Sequence, residues 1–178
     1  MENKEILFEN SHVRDKAMLK EMYSYEFFKK PKQIVLFALL AFFVMLNVGV
    51  SILEYVYYGI WSMEYWVFVP CLLIPLLEFL MYIVSVKTTL KRDLEMCGKE
   101  FEAKFKVTSD SIIGESITGS VTETGFDKIK SAVQTKNLII LRSKANLLYV
   151  FRKDGFSIGT KEDFVAFLKN KGIKVRGK

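Results

Sequence analysis

The sequence IVLFALLAFFVMLNVGVSIL at residues 34–53, followed by EYVYYGIWSME and YWVFVPCLLIPLLEFLMYIVSV at residues 54–86, decides the fold of this chain. None of the protein's 26 Lys and Arg residues falls within this stretch. Each apolar run is about 20 residues long, which is the length that a helix needs to cross the hydrocarbon core of a bilayer. Residues 33–87 are therefore predicted to form a transmembrane hairpin, with spans at about residues 34–56 and 65–86.

Basic residues flank the hairpin at both ends, whereas the loop between the spans contains none. Three precede the first span and three follow the second: Lys29, Lys30, Lys32, Lys87, Lys91 and Arg92. Under the positive-inside rule, this distribution predicts that both termini are cytoplasmic and that the loop faces the other side. The same six residues are candidates for contact with the anionic headgroups of the inner leaflet.

Glu78 and Asn47 are the polar residues predicted to lie deepest in the spans. Counted at 1.5 Å per residue from the inner ends, they lie about 12 Å and 20 Å deep, so a direct pair between them is not expected. An ionised carboxylate at that depth costs on the order of 2–3 kcal/mol. Glu78 is therefore expected to be protonated, to reach toward Lys87, or to face another subunit. Two interpretations remain open, a proton- or cation-linked site and a polar contact that fixes helix packing.

Residues 1–32 are predicted to form a cytoplasmic N-terminal region with a short strand and an amphipathic helix. The strand is expected around ILF at residues 6–8, and Asn10 or Ser11 is expected to cap a helix over residues 12–28. This helix either lies on the inner leaflet, or it packs against the soluble domain or leads into the first span.

Residues 88–178 are predicted to form a β-rich domain, because five or six short β-prone runs separated by turn residues follow one another between residues 101 and 151. Thr160 and Asp163 have the spacing of a helix start, and Gly172 ends that helix after residues 161–170. This order of elements resembles pleckstrin-homology architecture. The predicted fold is an α+β membrane protein, in which a two-helix transmembrane hairpin carries a small cytoplasmic antiparallel β domain closed by a C-terminal helix.

The order of the motifs resembles one known family. The hairpin is followed by DSI at residues 110–112, by GFDKI at residues 125–129, and by a closing helix after Phe156. This arrangement resembles the YcxB-like family of bacterial membrane proteins, whose C-terminal domain is regarded as pleckstrin-homology-like. The family often has Pro-Lys before the last helix, where this chain has GTK at residues 159–161. The resemblance implies a multi-pass protein of the bacterial cytoplasmic membrane, and it carries no activity to transfer.

The residues that catalysis requires are scarce in this chain. It has one His and two Cys, and it contains no GxGxxG, GxxxxGK[ST], GxSxG or HExxH motif. We therefore expect no enzymatic activity, no cofactor and no metal site. The net charge of +6 is not gathered on one periodic face, so nucleic acid is not an expected partner.

The expected function is that of a non-enzymatic, membrane-anchored module. It would present its cytoplasmic β domain to a protein partner, to lipid headgroups or to a second copy in a homo-oligomer, with the lipid bilayer as its surroundings. The alternative is a small oligomeric transport, channel or peptide-immunity protein that uses Glu78 and Asn47 inside the bilayer.

Overall fold

The computed structural model describes residues 5–61, 63, 65–98, 101–116 and 121–177. Its helices are α1 (Lys16–Ser24), α2 (Pro31–Tyr58), α3 (Phe68–Cys97) and α4 (Lys161–Asn170), with a π-helical turn at Tyr25–Lys29 and a 3-10 turn at Tyr65–Val67. Its strands are β1 (Phe8–Val13), β2 (Glu102–Val107), β3 (Ser111–Ser116), β4 (Val121–Gly125), β5 (Ile129–Gln134), β6 (Leu138–Ser143), β7 (Leu148–Arg152), β8 (Phe156–Ile158) and β9 (Val175–Arg176). The predicted α+β class is confirmed.

The chain divides into two units. Met1–Met22 and Thr88–Lys178 form the first, called the sheet unit below, and Tyr23–Lys87 forms the second, called the helix-pair unit. The sequence assigned residues 1–32 to a region of their own. In the structure, residues up to Met22 belong with the C-terminal part of the chain instead.

The two longest helices, α2 and α3, are long enough and apolar enough to cross a membrane. In their most apolar windows, 6% and 0% of the residues are buried within the protein. A core helix of a soluble protein would bury most of such a window against other elements. The apolar side chains of these two helices therefore point outward.

The sheet unit contains two sheets. The five-stranded sheet has the order β4-β3-β2-β1-β8, and all its neighbouring strands are antiparallel. The four-stranded sheet has the order β7-β6-β5-β9, in which only the short β9 runs parallel to its neighbour. The runs predicted between residues 101 and 151 correspond to β2 through β7. Strands β1, β8 and β9 complete the two sheets.

Strand β1 lies inside the five-stranded sheet, between β2 and β8. Its register pairs Phe8 with Val107 and Val13 with Glu102. The predicted helix cap at Asn10 or Ser11 is therefore wrong, because both residues belong to this strand. The helix begins later, where a carboxylate oxygen of Asp15 accepts the backbone N–H of Met18 at 2.7 Å.

Helix α1 docks on the sheet unit through Glu21. One carboxylate oxygen accepts the hydroxyl of Thr135 and the backbone N–H of Asn137, and the other accepts the Asn137 side-chain amide at 2.8 Å. Partial burial alone would raise the pKa of Glu21, but these hydrogen bonds outweigh it and hold that pKa below its usual value. Of the interpretations of this helix, the structure shows the one in which it packs against the β-rich part of the chain.

The core of the sheet unit is rich in phenylalanine. Helix α4 begins as predicted, with the Thr160 hydroxyl accepting the backbone N–H of Asp163 at 3.1 Å. It places Phe164, which is fully buried, against residues of both sheets. The ring centroid of Phe164 lies 4.9 Å from that of Phe151 and 5.3 Å from that of Phe8. The last helix therefore joins the two sheets, and the N-terminal strand contributes to the same core.

Strand β1 also buries a polar pair. The Asn10 side-chain amide donates to the carbonyl of Arg152 at 2.8 Å, which leaves the Asn10 carbonyl oxygen to accept from Nδ1–H of His12 at 3.0 Å. Burial lowers the pKa of His12 to about 4, and the nearby positive charges of Arg14 and Arg152 add to this effect. The carboxylates of Asp154 and Asp15 act in the opposite direction. His12 is therefore neutral at physiological pH.

Acid should weaken the sheet unit through His12. The unfolded chain binds a proton near pH 6.5 and the folded chain only near pH 4, so stability is full above pH 6.5 and falls as the pH is lowered toward 4. The free energy needed to open β1 and β2 should therefore fall by about 3 kcal/mol. It is measured by amide hydrogen exchange of the full chain.

The variant His12→Gln should lose most of this dependence between pH 6.5 and 4.5, because glutamine does not titrate. Glu21 and Asp154, whose pKa values are also lowered, should account for further losses below that range. Equal pH slopes for the variant and the wild type between pH 6.5 and 4.5 would contradict the assignment.

Candidate functional site

The predicted candidate Glu78 lies on the contact face of the helix-pair unit. Its Oε1 accepts the side-chain amide of Gln33 at 2.8 Å. Further along the pair, the Cys71 thiol lies 3.7 Å from the carbonyl of Leu40. The number of residues from Gln33 forward to Leu40 on α2 equals the number from Glu78 back to Cys71 on α3. The two helices therefore run antiparallel in an unbroken register.

This register places Glu78 opposite the start of α2. The estimate of about 12 Å assumed that the two apolar runs end at the same level. In the structure, Glu78 is level with Gln33, which precedes the first apolar run and follows Lys32 directly. The apolar run of α3 extends beyond the start of α2, where Phe28 packs on Tyr82 with ring centroids 5.6 Å apart. Glu78 thus lies beside the polar end of α2.

The second candidate, Asn47, does not meet Glu78. It lies 14 residues beyond Gln33 on α2, which is about 21 Å along the helix axis. Its backbone carbonyl accepts the hydroxyl of the buried Ser51 at 2.8 Å. The structure therefore separates the two residues that a shared intramembrane site would bring together.

Both candidates nevertheless carry a buried oxygen that makes no hydrogen bond to any described residue. These oxygens are Oδ1 of Asn47 and Oε2 of Glu78. Buried acceptors without partners are uncommon in folded proteins. Gln33, the partner that Glu78 does have, was not found from the sequence. Its only signal in the sequence was its position directly before an apolar run.

The six predicted lipid-facing basic residues lie on the helices or at their ends, and Lys30 alone among them is half-buried. Lys29 and Lys32 are exposed around the start of α2, and Lys30 forms an ion pair with Glu26. Lys87, Lys91 and Arg92 are exposed on α3, and Lys91 pairs with Glu95 at 3.5 Å. Pairs as exposed as this last one contribute little stability, so these side chains stay available to solvent and anions.

The aromatic residues at the far end of the helix pair are exposed. Tyr57 and Tyr58 at the end of α2, with Trp61 and Tyr65 in the connection, expose half or more of their surface, and the Trp61 ring contacts Tyr55 edge-on at 6.0 Å. Over the described ranges, no three His, Cys, Asp or Glu side chains come together in a way that could hold a metal ion.

Comparisons with known proteins add little to this picture. No protein-family model matches the chain, and no curated protein matches it. Among solved structures, the chain is similar to the crystal structure of the C-terminal domain of an unknown protein from Leishmania infantum. The two share 14% sequence identity with a TM-score of 0.32, over 41% of this chain and 71% of that one.

Proposed function

We propose that this chain is a non-enzymatic module of the bacterial cytoplasmic membrane, resembling the YcxB-like proteins. Its helix pair would span the bilayer twice with both termini in the cytoplasm. Its sheet unit, with two sheets closed by α4, would act as a pleckstrin-homology-like domain that contacts a protein, lipid headgroups or a second copy.

The pairing of β1 with β2 carries this proposal. β1 precedes both apolar helices and β2 follows them, yet Val13 and Glu102 are directly paired in one sheet. A sheet folds on one side of a membrane, because unpaired backbone groups are not tolerated in hydrocarbon. The chain must therefore leave the sheet and return to the same side. Two membrane spans satisfy this requirement. The outward-facing apolar surface of α2 and α3 suits such spans.

Labelling of single cysteines tests the placement. In a background with Cys71→Ser and Cys97→Ser, one cysteine replaces Tyr57 and, in a matched variant, one replaces Ser157, since both positions are exposed. A membrane-impermeant maleimide added to intact cells should label Y57C alone, and S157C should react only after permeabilisation. Labelling of S157C in intact cells would overturn the orientation.

The role as a presenting module is tested on the full chain in nanodiscs. Particle mass reports self-association, cross-linking in cells reports a protein partner, and hydrogen exchange with and without anionic lipid reports headgroup contact. We expect at least one of these measurements to show self-association, a cross-link to a partner, or lipid-dependent protection of the surface of the sheet unit. A monomer with no cross-link and no lipid-dependent protection would contradict the proposal.

A second candidate function is an oligomeric transport, channel or peptide-immunity protein. The observation in its favour is that Glu78 Oε2 and Asn47 Oδ1 are buried without partners among the described residues. Against it, the two side chains lie about 21 Å apart along α2.

Substitution of Glu78 separates the two functions. If Glu78 only joins the helices, Glu78→Leu should leave the protein in the membrane and change the stability of the helix pair by roughly 1 kcal/mol or less, as interhelical hydrogen bonds typically do. Proton uptake by dye-loaded proteoliposomes should then be the same for wild type, Glu78→Gln and Glu78→Leu. Uptake by the wild type that Glu78→Leu abolishes would instead establish the transport function.

A further inference from the structure

A cavity of about 240 Å³ in the sheet unit is lined by residues from strands of both sheets. Its floor is a row of cross-strand neighbours, in which Phe105 pairs with Gly114 and Gly114 pairs with Thr122. Its opposite wall is formed by Leu148 and Tyr149 at the start of β7. Most of the lining is therefore apolar and lies on regular strands, which hold it in place.

The Phe105 ring covers the glycine on the floor of the cavity. A Cβ atom built on Gly114 would lie 3.1 Å from a ring carbon of Phe105, so the Phe105 ring reaches over this glycine. Ala103, also on the floor, adds only a methyl group. An apolar cavity of about 150 Å³ is enough to hold benzene. A volume of 240 Å³ therefore accepts a six-membered ring with a short side arm.

One cation lines the cavity in a fixed orientation. The Arg14 guanidinium carbon lies 4.3 Å from the centre of the Phe101 ring, and Nη1 donates to both carboxylate oxygens of Asp93 at 3.3 Å and 3.2 Å. Arginine has five N–H donors. Those on Nε and Nη2 make no hydrogen bond to any described residue, so they are available to an acceptor in the cavity.

Two other polar side chains of the lining residues already have partners. The carboxylate of Glu115 pairs with Lys106 at 2.6 Å, and the hydroxyl of Tyr149 shares a 2.6 Å hydrogen bond with Thr124. Arg14 is therefore the group that decides which charge the site accepts.

We propose that this cavity binds a small carboxylic acid that carries an apolar ring or a short branched chain. The apolar part lies between Phe105 and Leu148, and the carboxylate accepts hydrogen bonds from Nε and Nη2 of Arg14. A charge-assisted pair of this kind is the strongest hydrogen-bonding arrangement that arginine forms. The inference concerns the sheet unit alone, so it does not depend on the proposed function or on the membrane placement.

Phenylacetate is a suitable probe, because it consists of one ring and a short acid arm. Its binding to the full chain in nanodiscs is measured by titration calorimetry, with empty nanodiscs as the blank. In the variant Thr122→Trp, the indole lies in the same row as Gly114 and fills the cavity, so affinity should fall by about tenfold or more. In the matched variant Val121→Trp, the new side chain points to the opposite face of the sheet, and affinity should stay within about twofold.

Phenylacetamide tests the contact with Arg14 without altering the protein, since it has the same shape but no charge. It should bind the wild type about tenfold more weakly than phenylacetate does. The proposal is overturned if phenylacetate shows no saturable binding up to millimolar concentrations. It is equally overturned if Thr122→Trp binds phenylacetate as tightly as the wild type, or if the acid and the amide bind equally.

Discussion

A chain without residues 1–22 is expected not to form the sheet unit, although it retains all of residues 88–178. Strand β1 lies between β2 and β8, so its loss removes the hydrogen-bond partners of both. It also removes Phe8 from the core and Asn10 from its bond to the carbonyl of Arg152. The fragment 88–178 alone should therefore lack cooperative thermal unfolding and dispersed amide resonances.

A fusion that omits the helix pair should behave in the opposite way. Residues 5–22 joined to residues 88–177 by a flexible linker of about 15 residues, whose ends lie roughly 20 Å apart on average, can restore β1 to its place. This fusion should unfold cooperatively in water. A matched fusion that retains residues 5–15 keeps β1 but loses the contacts of Glu21 with Asn137, and it should fold with lower stability. Cooperative folding of the fragment 88–178 by itself would refute the requirement for β1.

Truncation of Phe164 is expected to be the most damaging single substitution tested in the core. Its ring is fully buried and lies 4.9–5.4 Å from the rings of Phe151, Phe8 and Phe156, which come from both sheets. A buried Phe→Ala change typically costs about 3–5 kcal/mol, because it removes apolar contacts and leaves a cavity. Against a total stability of roughly 5–15 kcal/mol, Phe164→Ala should leave the sheet unit marginally stable.

Urea denaturation of the soluble fusion measures this effect. Lys169→Ala is the matched control, because Lys169 is exposed on the same helix and its loss should change the free energy of unfolding by about 0.5 kcal/mol or less. A Phe164→Ala midpoint equal to that of the control would mean that α4 does not join the two sheets as described.

Elements defined by local sequence patterns were predicted well. The limits of α4 match those predicted, because its start depends on the contact of Thr160 with Asp163 three residues later. The predicted apolar runs fall within α2 and the first part of α3, because about 20 consecutive apolar residues favour a long helix, and both helices extend beyond the predicted spans. β2 through β7 were found by their β-prone composition and by the turn residues between them.

Elements defined by distant pairing were missed. His12 and Asn10 occur in a polar segment that suits a helix start, and only pairing with β2, about 90 residues away in the chain, makes that segment a strand. The partner of Glu78 was missed for the same reason, because it depends on which residue of α2 lies opposite. The cavity beside Arg14 joins residues from five separate segments, and no local pattern records such an arrangement.

The sequence by itself determined that the chain combines two apolar helices with a β-rich part. The length of an apolar run and the local pattern of residue types depend only on residues that are close together in the chain. The tertiary structure alone decided that the N-terminal strand completes the C-terminal sheet and that Glu78 faces Gln33. It also decided that Arg14 and Gly114 line one cavity. These features depend on register and on packing between remote segments, and both are settled only when the whole chain has folded.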